Sequence, residues 1–83
     1  MTTHRLKTWT EFYQAVVSGV KTFEARKDDR GFKVGDFLNL VEVDPDNDFS
    51  PTGQESLFEV VYLLKGEQWG VMTGCVILGI RGV

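Results

Sequence analysis

From Trp9 to Val20 the apolar residues fall at Trp9, Phe12, Tyr13, Val16, Val17 and Val20, the i, i+3, i+4, i+7 spacing of one buried helical face. This is the clearest helical pattern in the chain, and the segments around it are short, alternating and rich in β-branched residues. A core built from one amphipathic helix and several short strands closes only if the strands curl into a small barrel or bend across the helix. The spacing predicts a helix over roughly Trp9 to Ser18. Thr8 and Glu11 have the spacing of a capping box, and Gly19 offers the left-handed residue that commonly ends a helix.

Around this helix the strand signals are local. His4–Lys7 is short and extended, and Thr22–Arg26 alternates Phe23 and Ala25 against Thr22, Glu24 and Arg26, as a strand with one polar face does. Val34-Gly35-Asp36 reads as a turn into the apolar run Phe37–Val43. Asp44–Gly53 is predicted to be a hairpin loop. Leu57–Leu64 and Cys75–Ile80 are further strands, separated by Lys65–Gly74 with its glycines. The expected fold is therefore α+β, about five strands around one principal N-terminal helix, in a single domain over residues 1–83, since so short a chain cannot supply two cores.

The longest apolar runs, such as Val60–Leu64, are far below the ~18 residues of a membrane span, so no membrane association is expected. The polar start Met1–Thr10 lacks a hydrophobic signal region, and the lone Cys75 cannot form an internal disulfide; a reducing cytoplasm is the expected location. The net charge of −3 argues against indiscriminate nucleic-acid binding. It conceals an asymmetry: residues 1–36 carry seven Lys/Arg against five acids, and residues 37–83 two against seven. A basic face can therefore exist on an acidic protein.

The most informative segment is Gly19-Val-Lys21-Thr-Phe-Glu24-Ala-Arg26. Period-2 geometry sends Glu24 and Arg26 to the same side of their strand, with Lys21 at its entrance. A guanidinium offers a rigid donor fork for phosphate or carboxylate and an ammonium a mobile point charge. A carboxylate accepts from base amino groups or ribose hydroxyls. The trio suits a nucleotide-like ligand, whereas read from composition alone it is a salt bridge on a solvated strand face.

Written G-x-K-x-x-E-x-R, this segment resembles the motif of the ASCH domain (activating signal cointegrator homology), a branch of the PUA-like β-barrels. His4-Arg-Leu-Lys7, Asp29-Arg30, Phe32-x-Val-Gly35-Asp36 and the Gly66–Gly74 loop are similar to those of a family of small ASCH-like proteins, so the likeness spans nearly the full chain. The resemblance implies a small PUA-like mixed β-barrel whose cleft beside the helix, lined by Lys21, Glu24 and Arg26, binds RNA or a nucleotide-like ligand. Lys7, Lys27 and Arg30 are expected to extend the positive rim; His4 either is simply exposed or, as the similar start of the resembled family implies, lines the cleft. Some small ASCH-like proteins resemble amidohydrolases acting on acylated cytidine through a lysine, a threonine three positions later and a distant glutamate. Here the position three after Lys21 is Glu24, and Thr22 is adjacent to the lysine, so the nucleophile is displaced. Were the chain an enzyme, Lys21 and Glu24 would be its acid/base groups. A third reading is a regulatory domain that meets a protein partner through the acidic C-terminal half.

Other constellations carry less. Asp44, Asp46, Asp48 and Glu55 repeat the 1, 3, 5 and 12 positions of a calcium loop, yet Phe49 stands where the sharp turn needs glycine and the flanks read as strands. One histidine and one cysteine cannot make a structural zinc site, so neither metal nor cofactor is expected. Cys75 reads as a small core residue. Trp9 is expected in the core with an edge able to reach the groove. Trp69, in the glycine-flanked loop, either stacks on a base or closes the barrel end.

Overall fold

Exposed and buried residues alternate along Thr3–Trp9 (β1), with His4, Leu6 and Thr8 turned inward and Arg5, Lys7 and Trp9 outward, as period-2 geometry requires. In the computed structural model, which describes residues 1–83, this strand runs directly into the helix α1, Thr10–Val17. The predicted capping box does not form. Thr8 is the last inward residue of β1, the N-cap position falls to Trp9, and no side chain caps it. Thr10 instead donates its hydroxyl to the Val43 carbonyl at 3.2 Å, which ties the first turn to the sheet. The helix ends as expected: the Ser18 and Gly19 amides bond the carbonyls of Gln14 and Val16, and Gly19 takes φ +84°, a conformation that costs a side-chain-bearing residue about 1–2 kcal/mol.

Eight residues make little more than two turns, so α1 covers the sheet with one narrow side. Tyr13 and Val16 are buried, whereas Trp9, Phe12, Val17 and Val20 remain exposed; only part of the predicted apolar stripe reaches the core. The Lys21 amide bonds the Ala15 carbonyl at 2.9 Å, folding the chain back along the helix before the second strand.

That strand is β2, Phe23–Lys27; the others are β3, Phe37–Asp44, β4, Ser50–Lys65, and β5, Cys75–Gly82. They form one sheet in the order β1-β3-β4-β5-β2, with β1 and β3 parallel and every other pair antiparallel. Register shifts between Val41 and Val43 and between Val60 and Tyr62 bend the ladder as bulges do. The result is an α+β fold, one helix on a five-stranded mixed half-barrel, as the strand count predicted. The expected Asp44–Gly53 loop is much shorter: a 3-10 turn, Pro45–Asn47, leads into β4 at Ser50. Ser50–Glu55 pairs with β3 yet stays largely exposed, so it has no apolar period to betray a strand. No helix is long and apolar enough to cross a membrane.

The inward faces meet in a core of Leu6, Leu38, Leu40, Val60, Val76 and Leu78, with Tyr13, Val16, Phe32, Phe58 and Ile80 around them. One hydrogen-bonded carboxylate–imidazole pair enters it. Asp36 accepts from His4 Nε2 at 2.9 Å, from the Lys33 amide at 3.1 Å and from the Thr2 amide at 3.3 Å, and Phe32 packs on the His4 ring at 4.7 Å between centroids. The His4 hydrogen bond, with the Thr2 and Lys33 amides, holds the Asp36 carboxyl below its ordinary range despite burial. A carboxyl depressed in the folded state stabilises it above the unfolded value of 3.8, and that contribution is lost as pH falls through the folded value. Asp36→Asn is therefore expected to cost about 1–3 kcal/mol at neutral pH, and to lose less stability than the parent on acidification from about pH 5 to pH 3. Urea unfolding across that range checks it; equal acid sensitivity in both proteins would remove Asp36 from the account.

Candidate functional site

β1 and β2 are the two edges of the sheet, and no backbone pairing joins them. What spans the seam is charge. Along β2 the alternation turns Glu24 inward, 3% exposed, with Arg26 on the same side, as the sequence predicted. Lys21 Nζ donates to Glu24 Oε1 at 2.9 Å and Arg26 Nε to Oε2 at 3.2 Å. Arg26 Nη2 then crosses to β1, donating to the Lys7 carbonyl at 2.6 Å and to Thr8 Oγ1 at 3.2 Å. Further along, Arg30 Nη1 donates to the Arg5 carbonyl at 3.1 Å. Side-chain donors thus occupy edge carbonyls that a neighbouring strand would otherwise satisfy.

The open seam leaves two clefts. The larger, about 540 Å³, is lined by Lys7, Thr8, Trp9, Phe12, Lys21, Phe23, Glu24, Ala25, Arg26 and Lys27. The second, about 350 Å³, is lined by Arg5, Lys7, Arg26, Arg30, Val41, Val43 and Pro51. Lys7 and Arg26 belong to both. Six of the nine Lys/Arg residues of the chain line these clefts, against one of its twelve acids, Glu24. The ammonium groups of Lys7 and Lys27 have no carboxylate within ion-pair distance, whereas Arg5 lies 3.5 Å from Glu55 and Arg30 4.0 Å from Asp29. Arg26 Nη1 makes no bond to the protein. Such an arrangement offers an anion several donors together with a positive local potential.

Aromatic rings form the other wall. Lys21 Nζ lies 5.4 Å from the Phe12 ring centre and 5.1 Å from that of Phe23, within cation–π range. Trp9 stacks on Phe12 at 6.1 Å and meets Phe49 at 5.7 Å. Asp48 and Phe49 both have positive φ, 56° and 58°, a region that non-glycine residues occupy at a cost of about 1–2 kcal/mol each. The strained turn brings the Phe49 ring against Trp9.

Of the sequence-predicted residues, Lys7, Lys21, Glu24, Arg26 and Arg30 converge on the seam. His4 does not line it: its ring faces the core and is held by Asp36 and Phe32. Trp69 lines neither cleft and is 93% exposed in the β4–β5 loop, so it does not close the barrel end. Trp9, expected in the core, is 48% exposed and belongs to the cleft wall. Sequence reasoning missed Thr8, Phe12, Phe23 and Arg5 as site residues. Continuing the period-2 pattern of β1 past Lys7 to Trp9 would have found the outward set Arg5, Lys7, Trp9.

Glu24 has little freedom to act as a base, since each of its oxygens accepts from a cation. Its role in the site is to fix where Lys21 and Arg26 stand. Removing its charge leaves two cations facing each other, so Glu24→Gln is expected to destabilise the fold. The loss is about 2–3 kcal/mol, below the range for fully buried pairs because Lys21 and Arg26 are 18% and 24% exposed. Glu24→Gln combined with Lys21→Met should recover part of it. A loss under about 0.5 kcal/mol in urea unfolding would identify the cluster as an ordinary solvated pair.

No curated protein matches the chain. A family model described as a domain of unknown function, DUF3850, matches residues 3–80, a span that includes every residue of both clefts. The chain, with its seam-spanning Lys21–Glu24–Arg26 cluster, belongs to the DUF3850 family.

Proposed function

We propose that this protein is a binding module for RNA or a nucleotide-like ligand, received in the seam between β1 and β2. The observation that carries the reading is the concentration of six cations and one committed carboxylate on the seam of a chain whose net charge is −3. Phosphates would be met by Lys7, Lys27 and the free face of Arg26, and polar base atoms by Lys21. The likeness of Gly19–Arg26 to the ASCH motif of PUA-like barrels supports the same ligand class, and the half-barrel with its helix-side cleft is compatible with that ancestry.

Two other readings have weaker support. Hydrolysis of acylated nucleosides by Lys21 and Glu24 needs a free carboxylate, and both Glu24 oxygens are occupied; Thr22 lines neither cleft. A regulatory role through a protein partner has only the acidic C-terminal half in its favour.

A fluorescein-labelled oligouridine titrated at low salt is expected to saturate, with affinity falling as salt rises. Lys21→Ala and Lys27→Ala should each weaken binding by about tenfold, and Lys27→Ala, which removes a phosphate contact, should also reduce the slope of log K against log salt by about 0.7. Absent or salt-independent binding would defeat the proposal. Release of the acyl group from an acylated cytidine, lost in Lys21→Ala, would return the hydrolase.

A further inference from the structure

The two clefts share Lys7 and Arg26 and therefore adjoin each other along the β1 edge, with the Arg26 side chain, bonded to the Lys7 carbonyl, as their common wall. Resting on the reading of the seam as a nucleic-acid site, we propose that its ligand is a single strand of at least two nucleotides, laid along β1, rather than a free mononucleotide. The outward residues of β1 come in the order Arg5, Lys7, Trp9, two residues apart and so spaced by about 6.6 Å. Two cations and an aromatic ring in file match the repeating chemistry of an extended strand, which alternates phosphates with flat bases.

Each end of the groove fits a different part of that ligand. At the helix end the wall is aromatic: Trp9, Phe12 and Phe23 are 48%, 42% and 45% exposed, and all line the larger cleft. Exposed rings beside cations form a stacking platform, tolerant of sequence because every base has a π-face. At the other end Arg5, Lys7, Arg26 and Arg30 surround a floor of Val41, Val43 and Pro51 with no acid among them. Four cations exceed what one phosphate needs. A second phosphate on the same strand would engage Arg30 and Arg5, where a mononucleotide seated on the aromatic wall leaves them only their exposed pairings with Asp29 and Glu55.

The test uses Trp69→Phe as background, which leaves Trp9 as the sole indole and removes a residue that touches neither cleft. Short oligouridine and oligodeoxythymidine are titrated in parallel with uridine monophosphate, with Trp9 fluorescence as the readout. Either oligomer is expected to quench Trp9 and to bind at least about tenfold more tightly than the monophosphate. Arg30→Gln should weaken the oligomers severalfold and leave the monophosphate unchanged, and Lys7→Ala, on an exposed side chain, should weaken both. Circular dichroism confirms that each variant is folded. A monophosphate that binds as tightly as the oligomers, or oligomer binding indifferent to Arg30→Gln, overturns the extended groove while leaving the nucleotide site in place. Failure of all three ligands overturns both. The RNA and DNA arms also tell whether a 2′-hydroxyl is read.

Discussion

A carboxylate turned toward the inside of a small sheet is the constraint from which the rest of this structure follows. An ionised group with Glu24's burial is costly to bring in from water without partners, and here two cations from opposite directions serve it. Lys21 arrives from the turn after the helix, placed by the left-handed Gly19 and the Lys21–Ala15 backbone bond. Arg26 arrives from the same strand and, because its Nε is held by Glu24, its terminal nitrogen is aimed across the seam at β1. The pair that satisfies the buried charge is thus also the joint between sheet edges that no backbone ladder connects. Fold and candidate site share the same atoms.

The distribution of charge makes a net-acidic protein compatible with an anionic ligand. At physiological ionic strength exposed charges farther apart than about 8 Å are largely screened. Glu55 lies 3.5 Å from Arg5, but no acid of the C-terminal half lines either cleft, and an anion placed there would meet six cations at close range. The overall charge would slow a polyanion's approach more than it would weaken the final contact.

Much of this was legible before any coordinates. The helix and the shared face of Glu24 and Arg26 follow from periodicity, because 3.6-residue and 2-residue repeats report which side of an element is buried, and β3, the second half of β4 and β5 follow from apolar, β-branched runs bounded by turn residues. Three features were hidden for physical reasons. The Thr8–Glu11 spacing was that of a cap, but β1 continues to Trp9 and takes Thr8 as its last inward residue, so the strand overrode the local signal. The first half of β4 is exposed and polar, and nothing in its composition distinguishes it from a loop. The partner of His4 is Asp36, 32 positions away, and only the parallel pairing of β1 with β3 brings them together; the likeness of the chain's start to that of a family had put the imidazole in the cleft.

The arginines at the seam have a consequence for how this protein behaves among its own copies. An edge strand with free carbonyls invites addition of another chain, the first step of strand-by-strand self-assembly. Along β1 the Arg5 and Lys7 carbonyls accept from Arg30 and Arg26, and bulky cations stand over the row that an incoming strand would need. The guanidinium groups of the groove thus also withhold two edge carbonyls from an incoming strand. Loss of those side chains would leave both carbonyls open to strand addition.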